Sequence, residues 1–477
     1  MSREIELKLE VPADAADRLL SQPWLACGST RPQRELSVYF DTPDGALRAS
    51  GYTLRVRSVG DRFTQTVKSL EMAAGLFERG EWECDIDGPE PDPAGLASTP
   101  LEKIDADRLQ PVVRTQVDRR VCRLKQPGAE LEVDVDEGLL TASGRQLPVH
   151  EIEIELLRGK ASAAVSLARR IASQVPVKLG VMSKAERGFA LADGAVGKAS
   201  KAEPARVNAD MNVAEGFQTI VMACIRHFRR NEPLVVDRRS AEALHQTRVA
   251  MRRLRSALSL FRTAIQDSEF ERLRAELRWF TNALGDARNL DVHLLRQQTD
   301  DEERALLQER REVAYSSAIA AIESARFRGL MLDLVAWSAL GKWRSGTRAQ
   351  QPMRVYANRR IDQWWSKLSE TRRPGRMDDP QRHRLRIRVK KLRYALEFMA
   401  PLHAQGGRRR KKLKRSLEAV QESLGKLHDS VVARSMIASG LPGVLPTKGK
   451  EKRRAVREAD RAVRRLRHAR PYWTSAL

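Results

Sequence analysis

This 477-residue sequence predicts an α+β chain, in which an antiparallel β domain precedes an all-α domain. Three observations carry that reading. Residues 1–200 contain short segments of polar–apolar alternation, the period of a half-buried strand. Charge is divided unevenly: residues 1–200 hold 27 of the 86 Lys+Arg and 31 of the 62 Asp+Glu, net −4, which leaves net +28 for residues 201–477. The second part also repeats a helical motif at a separation of 138 residues, His245 to His383. Two domains with different electrostatic work follow from the asymmetry. The stretch ADGAVGKASKAEPARVNAD (192–210) has no sustained apolar period, so domains are expected at 1–195 and 211–477 with a linker at 196–210.

Composition bounds the classes further. Apolar residues make up 42% and charged residues 31%, which describes a globular but heavily charged chain long enough for two or three cores. Cys27, Cys84, Cys122 and Cys224 are scattered with no CxxC pair. That spacing argues against a disulfide framework and a cysteine metal site, and fits a reducing compartment. The sequence shows no apolar signal core and no run of about 18 apolar residues. A cytoplasmic protein without a membrane partner is the expectation.

The strands come in order. EIELK (4–8) sets Glu4, Glu6 and Lys8 on one face against Ile5 and Leu7 on the other. TLRVRS (53–58) alternates Arg55 and Arg57 with Leu54 and Val56, and FTQTVKS (63–69) carries Lys68. GEWECDID (80–87) alternates Glu81, Glu83 and Asp85. LEVDVDEG (131–138) alternates Glu132, Asp134 and Asp136 with valines, and HEIEIELL (150–157) alternates Glu151, Glu153 and Glu155 with Ile152, Ile154 and Leu156. Turns such as DTPDG (41–45) between short strands suggest an antiparallel barrel or sandwich. The apolar period lengthens at GKASAAVSLARRIASQV (159–175), where a helix is expected.

Acidic and basic strands are segregated, as though one wall carried carboxylates and another guanidinium and ammonium groups. Turned into a closed barrel, such faces make a polar tunnel whose charges need a bridging partner. Carboxylates without His or Cys suit a hard cation such as Mg²⁺ or Mn²⁺. Arg and Lys suit phosphate oxygens. Metal-assisted attack on a phosphoanhydride is the chemistry these faces imply.

EIELK resembles the ExExK signature of the CYTH domains, the triphosphate tunnel metalloenzymes. The resemblance continues through YFDTPDGALRASGYTLRVR (39–57), TQTVK (64–68), RGEWE (79–83), EIEIEL (151–156) and SKAERG (183–188), in the family's order over about residues 1–195. ExExK alone is weak; the six elements together are specific. The resemblance implies an antiparallel β-barrel whose tunnel binds a triphosphate with divalent metal. Matched by motif, Glu4, Glu6, Glu153 and Glu155 would be metal ligands, with Glu81 a fifth whose face is shared by Glu83. Lys8, Arg55, Arg57, Lys68, Arg119, Lys184 and Arg187 would hold phosphates, and Glu4, Glu6, Lys8 and Lys68 would be the catalytic set. Arg119 rests on the looser match RTQVDRR, where Arg120 is the alternative.

In the second part, LHQTRVAMRRLRSAL (244–258) and HRLRIRVKKLRYAL (383–396) align. His245, Arg248, Arg252, Arg253 and Arg255 match His383, Arg386, Lys390, Lys391 and Arg393. A second pair, LGDARNLD (284–291) and LGKLHDSV (424–431), follows each copy, so the half reads as a duplicated helical bundle. His245, Arg248, Arg252 and Arg255 fall on one helical stripe beside an apolar stripe of Met251, Leu254 and Leu258. The basic stripe has almost no acidic partners, and two such stripes facing each other would make a long cationic groove. This repeat resembles the CHAD domain over about residues 205–477, with Asn289 where that family often has Asp. The resemblance implies binding of inorganic polyphosphate along the groove. RRRKKLKR (408–415) and residues 450–470 add positive charge or are simply solvated helices.

The sequence therefore leads to hydrolysis of inorganic triphosphate to pyrophosphate and phosphate with Mg²⁺ or Mn²⁺, joined to a polyphosphate-binding domain. Thiamine triphosphatase, nucleoside triphosphatase and adenylate cyclase share the same grip on a triphosphate and stay open. So does a non-catalytic polyanion binder, although the basic stripes of the sequence carry no aromatic platform for stacking bases, which makes specific nucleic-acid binding unexpected.

Overall fold

Among the described residues, period-two alternation becomes nine strands, all in one antiparallel sheet. In chain order they are β1 (Glu6–Glu10), β2 (Gln33–Asp41), β3 (Tyr52–Val59), β4 (Arg62–Ser69), β5 (Glu81–Ile86), β6 (Gln110–Gln126), β7 (Ala129–Ala142), β8 (Arg145–Gly159) and β9 (Lys178–Leu179). The structure, a computed structural model, describes residues 6–25, 32–70, 80–296, 301–438, 449–469 and 471–473. Glu4 lies outside them. The chain forms two units: Met1–Ser200 with Arg229–Leu234 and Glu323–Gly341, and Lys201–Phe228 with Val235–Ile322 and Lys342–Leu477.

In the first unit the sheet order is β5-β4-β3-β2-β6-β7-β8-β1-β9. Register sets the charged face in rows. Glu6 lies opposite Glu155, and Glu155 opposite Glu132. Lys8 lies opposite Glu153, and Glu153 opposite Asp134. Glu151 lies opposite Asp136, and Asp136 opposite Arg119. The other face of these strands holds Leu7, Leu9, Val133, Val135, Ile152 and Ile154, all buried. The helix expected near 159–175 forms at Ser162–Gln174 and covers that face with Val165, Leu167, Ala168 and Ile171.

The α+β class and the antiparallel tunnel fold hold, but hydrogen-bond closure of the sheet does not: among the described residues β5 and β9 are edges that pair with no further strand. A two-residue β9 offers too short a ladder to close a cylinder. Side chains close the wall instead, since Lys68 and Glu81 from one end of the sheet and Glu6 and Glu155 from the other border one cavity.

One end of the tunnel is stopped by the helix Lys184–Ala192. Its Ala185, Phe189 and Leu191 pack on Tyr39, Val113, Val117, Leu140 and Val149. The helix starts with a reciprocal cap: Ser183 Oγ accepts from the Glu186 amide, and the Glu186 carboxylate accepts from the Ser183 amide at 2.9 Å. That cap delivers Lys184, the first helical residue, into the cavity.

Cys84 and Cys224 are free thiols. Cys122 is disulfide-bonded, contrary to what the scattered cysteines suggest. Cys27 lies outside the described residues.

The second unit is helical. The repeats form Ala241–Ile265, capped by Ser240, and Asp379–Phe398, capped by Asp378 with Gln381. Each buries its apolar stripe, Met251, Leu254 and Leu258 in one and Val389, Leu392 and Leu396 in the other, and the two helices touch. The companion motifs lie on Gly285–Arg296 and Gly407–Ala438, each against its own repeat helix. The duplication is visible in detail: Arg288 acts on His245 where the aligned His428 meets His383. No helix among the described residues is long and apolar enough to cross a membrane.

Gly188 lets the plug helix sit close to β6, because a Cβ there would lie 2.2 Å from Val113 Cγ1. Overpacking of this kind costs about 1–3 kcal/mol. Gly188→Ala should lower the melting temperature of the tunnel unit by about 2–10 °C, with partial recovery on adding Val113→Ala; an unchanged melting curve would show that the plug does not pack there.

Candidate active site and anion groove

The tunnel encloses a cavity of about 970 Å³. Two kinds of charge line it, and they differ in whether they are balanced.

At its inner end is a balanced knot. Lys8 Nζ reaches Glu153 at 2.5 Å and Glu151 at 3.4 Å. Lys184 Nζ reaches Asp136 at 2.7 Å and Glu153 at 3.1 Å, and also binds Glu151. Arg119 donates to both oxygens of Asp136 at 2.7 and 2.6 Å, to Asp134 at 2.6 Å and to Glu153 at 2.8 Å. Burial works against Lys8, Lys184, Arg119, Asp136 and Glu153, yet at each of these the partners outweigh it. Glu151 and Glu153 hold the Lys8 pKa above the lysine range; Asp136, Glu151 and Glu153 do the same for Lys184. Lys184, Lys8 and Arg119 hold Glu153 well below the carboxylate range. Asp136, Glu151 and Glu153 bring carboxylate oxygens within 4.8 Å of one another, close enough to share a metal ion. Lys8 and Lys184 already stand there, so we regard this trio as a structural ion cluster.

Nearer the mouth the acidic charge is in surplus. Glu6, Glu155 and Glu132 lie side by side across three strands, an arrangement of like charges that destabilises itself. Burial first, then Glu132 and Glu6, push the Glu155 pKa up. Arg123 reaches Glu132 at 2.8 Å, and Lys68 reaches Glu81 at 2.9 Å. Asp134 is pushed to about 7, by burial and then by Glu153, Asp136 and Glu132, against the pull of Arg119. Its Oδ1 is buried and has no hydrogen-bond partner. An orphaned carboxylate oxygen beside a row of three glutamates is a donor set that fits a hard divalent cation.

The opposite wall has surplus positive charge. Arg55 donates to Thr66 Oγ1 at 3.2 Å, and Arg57 stands 3.5 Å from Glu35. The buried Nε of each has no hydrogen-bond partner. Burial and the neighbouring Arg55 lower the Arg57 pKa, the signature of a cation short of counter-charge.

The structure places several of the expected residues more closely. Arg119 is the inward residue of its pair; Arg120 faces Asp17 at 3.9 Å. Arg119 and Lys184 line the cavity but spend their donors on the knot. Arg187 does not line it: it donates to Pro148 O at 2.5 Å and reaches Glu151 at 3.4 Å from behind. Reasoning from motifs passed over Glu35, Glu132 and Asp134 as site residues, although the alternation of β7 made the last two visible.

In the helical unit a second cavity, about 630 Å³, lies between the repeats. Arg252, Arg255, His383, Arg386, Lys390 and Lys391 line it, joined by Arg274, Arg278, Arg360 and Lys367 and by no carboxylate. Lys390 is pulled down to about 7, by burial and then by Arg386, Arg252, Arg393 and Arg248. The facing stripes thus do form a cationic groove. Four of the expected residues do not line it. Arg253 points into the core, with Glu397 at 3.2 Å and its guanidinium 4.8 Å from the Phe398 ring. Arg393 donates to Gln421 at 3.0 Å and binds Glu397. Arg248 donates to Thr281 O at 3.3 Å, and His245 sits with it near Arg288. His383 and His428 bring their Nδ1 atoms to 3.3 Å. Their neighbours Arg386 and Lys390 depress the His383 pKa further after burial, surroundings that disfavour a metal cation.

Comparison with known proteins agrees with this division. The CYTH domain profile matches residues 2–189 and the CHAD domain profile residues 219–438. An inorganic triphosphatase from Haemophilus influenzae is 28% identical over 197 residues, a match that covers 40% of this chain and 55% of that protein. The chain thus spans about half the length of that relative. A solved CHAD domain from Ricinus communis is 29% identical with a TM-score of 0.46, covering 58% of this chain and 93% of that one. A Hippeastrum protein, reported as revealing a dominant triphosphatase activity, is 21% identical with a TM-score of 0.32, covering 40% of this chain and 96% of that one. The chain carries a CYTH domain at residues 2–189 joined to a CHAD domain at residues 219–438.

Proposed function

We propose that the tunnel hydrolyses inorganic triphosphate to pyrophosphate and phosphate with Mg²⁺ or Mn²⁺, and that the helical groove binds inorganic polyphosphate. One observation carries the first part: a cavity with unbalanced carboxylates on one wall and unpartnered buried guanidinium N–H groups on the other. A metal-bound phosphate chain has the two signs in the order that satisfies both walls.

Of the carboxylates expected to hold the metal, Glu6 and Glu155 stand outside the knot, with Asp134 beside them; Glu153 is bound by Lys8, Lys184 and Arg119, and Glu81 is tied to Lys68. The ion supplies charge neutralisation to the phosphate oxygens. Arg55, Arg57 and Lys68 bind and orient the phosphates, and their fixed charges favour the more dispersed charge of phosphoryl transfer. Lys8, Lys184 and Arg119 hold the acidic strands in register behind the site. The plug helix limits entry of water at that end.

Phosphate release from tripolyphosphate should require Mg²⁺ or Mn²⁺, and Glu6→Gln should lower kcat at least a hundredfold with an unchanged melting curve. Turnover in EDTA, or a fully active Glu6→Gln, would overturn the metal assignment. Thiamine triphosphate and ATP as competing substrates separate the neighbouring activities. Arg57→Met should lower kcat/KM for tripolyphosphate about 10–100-fold, the loss of one charge-assisted hydrogen bond. An unchanged kcat/KM would remove Arg57 from the substrate.

For the groove, Lys390 is about half neutral near pH 7 in the free protein. Phosphate favours its ammonium form, so binding takes up a proton and affinity falls as pH rises through 7. Arg386, Arg252, Arg393 and Arg248 face it. Polyphosphate affinity should therefore drop severalfold between pH 6 and 8, and Lys390→Met should flatten that dependence. A pH-independent affinity in the wild type would contradict the placement of Lys390 against the chain.

A further inference from the structure

The groove contains two residues that a chain of phosphates cannot use. Trp364, on the helix Met353–Ser369, lines the cavity. Ile387, from the second repeat helix, lines it too and is 40% exposed. Inorganic polyphosphate has no apolar surface to offer an indole or a sec-butyl group. Among the described residues no ring or guanidinium stacks on Trp364. Phe270 and Tyr394, the other aromatic lining residues, are buried and already have the Arg262 guanidinium 5.9 Å and the Arg393 guanidinium 4.4 Å from their ring centroids. One aromatic face is therefore left open inside a cavity whose charged lining is entirely cationic.

Size points the same way. A volume of about 630 Å³ is that of a small-molecule pocket, whereas a featureless track for a polymer needs no pocket at all. A flat π-system beside an anionic chain matches an aromatic platform beside cations, because bases stack on indole whatever their identity and phosphates pair with guanidinium groups. We propose that the groove takes a nucleoside polyphosphate, its base on Trp364 and its phosphates on Arg252, Arg386 and Lys390. This rests on the reading of the groove as a phosphate site.

The test uses the full-length protein in EDTA, with fluorescently labelled long-chain polyphosphate as the bound probe. ATP should displace it at about a tenfold lower concentration than tripolyphosphate, which carries comparable charge. Trp364→Ala should abolish that advantage and Trp364→Phe should keep most of it, both with unchanged melting curves. ATP competing no better than tripolyphosphate, or an advantage that survives Trp364→Ala, would overturn the proposal. Displacement by oligothymidylate but not by ATP would overturn it in favour of single-stranded nucleic acid. If labelled polyphosphate does not bind the wild type at all, the phosphate reading of the groove falls and this proposal with it; if it binds and ATP has no advantage, only this proposal falls.

Discussion

Lys8, Lys184 and Arg119, held among Asp136, Glu151 and Glu153, are the constraint on which the tunnel depends. Each of these ions would cost several kcal/mol to bury alone. Together they offset one another, and the arrangement is possible only because five elements arrive at one point. β1 brings Lys8, β6 brings Arg119, β7 and β8 bring the acids, and the plug helix brings Lys184. A slip of one residue in any of these ladders would turn the charges into the apolar layer under the helix Ser162–Gln174. The knot therefore fixes register as well as charge.

With register fixed, the remaining charges are the ones left unbalanced. The next row toward the mouth, Glu6, Glu155 and Glu132, repeats the geometry of the knot without enough cations to balance it. Arg55 and Arg57, across the cavity, repeat it without enough acids. Balanced charge behind and unbalanced charge in front separates what holds the fold from what is available to a substrate. It also explains why the cluster of Asp136, Glu151 and Glu153 is a poor place for a metal: its positive charge is already covalently part of the chain.

Much of this was legible in the sequence. Period-two alternation located the strands, and the segregation of acidic from basic strands implied an interior that needed bridging. Alternation says which face a residue is on, but not whether a partner on another strand has already neutralised it. That is why Arg119 and Lys184 were expected on phosphate although they belong to the knot, and why Glu132 and Asp134, equally visible in LEVDVDEG, were passed over. In the helical part, 138-residue self-similarity revealed the duplication, but a helical position eight residues from His245 turns Arg253 away from the stripe and onto Phe398. The aromatic residue of the groove was hidden for a different reason: Trp364 comes from a helix outside the repeat, so no motif contains both it and the cations around it.

The groove applies the principle of the tunnel with one sign only. A lysine whose folded-state pKa lies near 7 destabilises the native state wherever it is still charged; the penalty is fully present below pH 7 and fades as pH rises toward the unfolded lysine value. Such repulsion is tolerated because the helices carry it on a core of their own, built around Phe217, Phe261, Trp343 and Tyr356, in which Phe261 and Tyr356 stack at 5.6 Å. The cations are thus held close by packing rather than by counter-charges. An anion entering the groove relieves repulsion that is already present in the free protein, and it finds the cations in position. Salt bridges within the groove would have stabilised the fold further, but they would have removed its unbalanced positive charge.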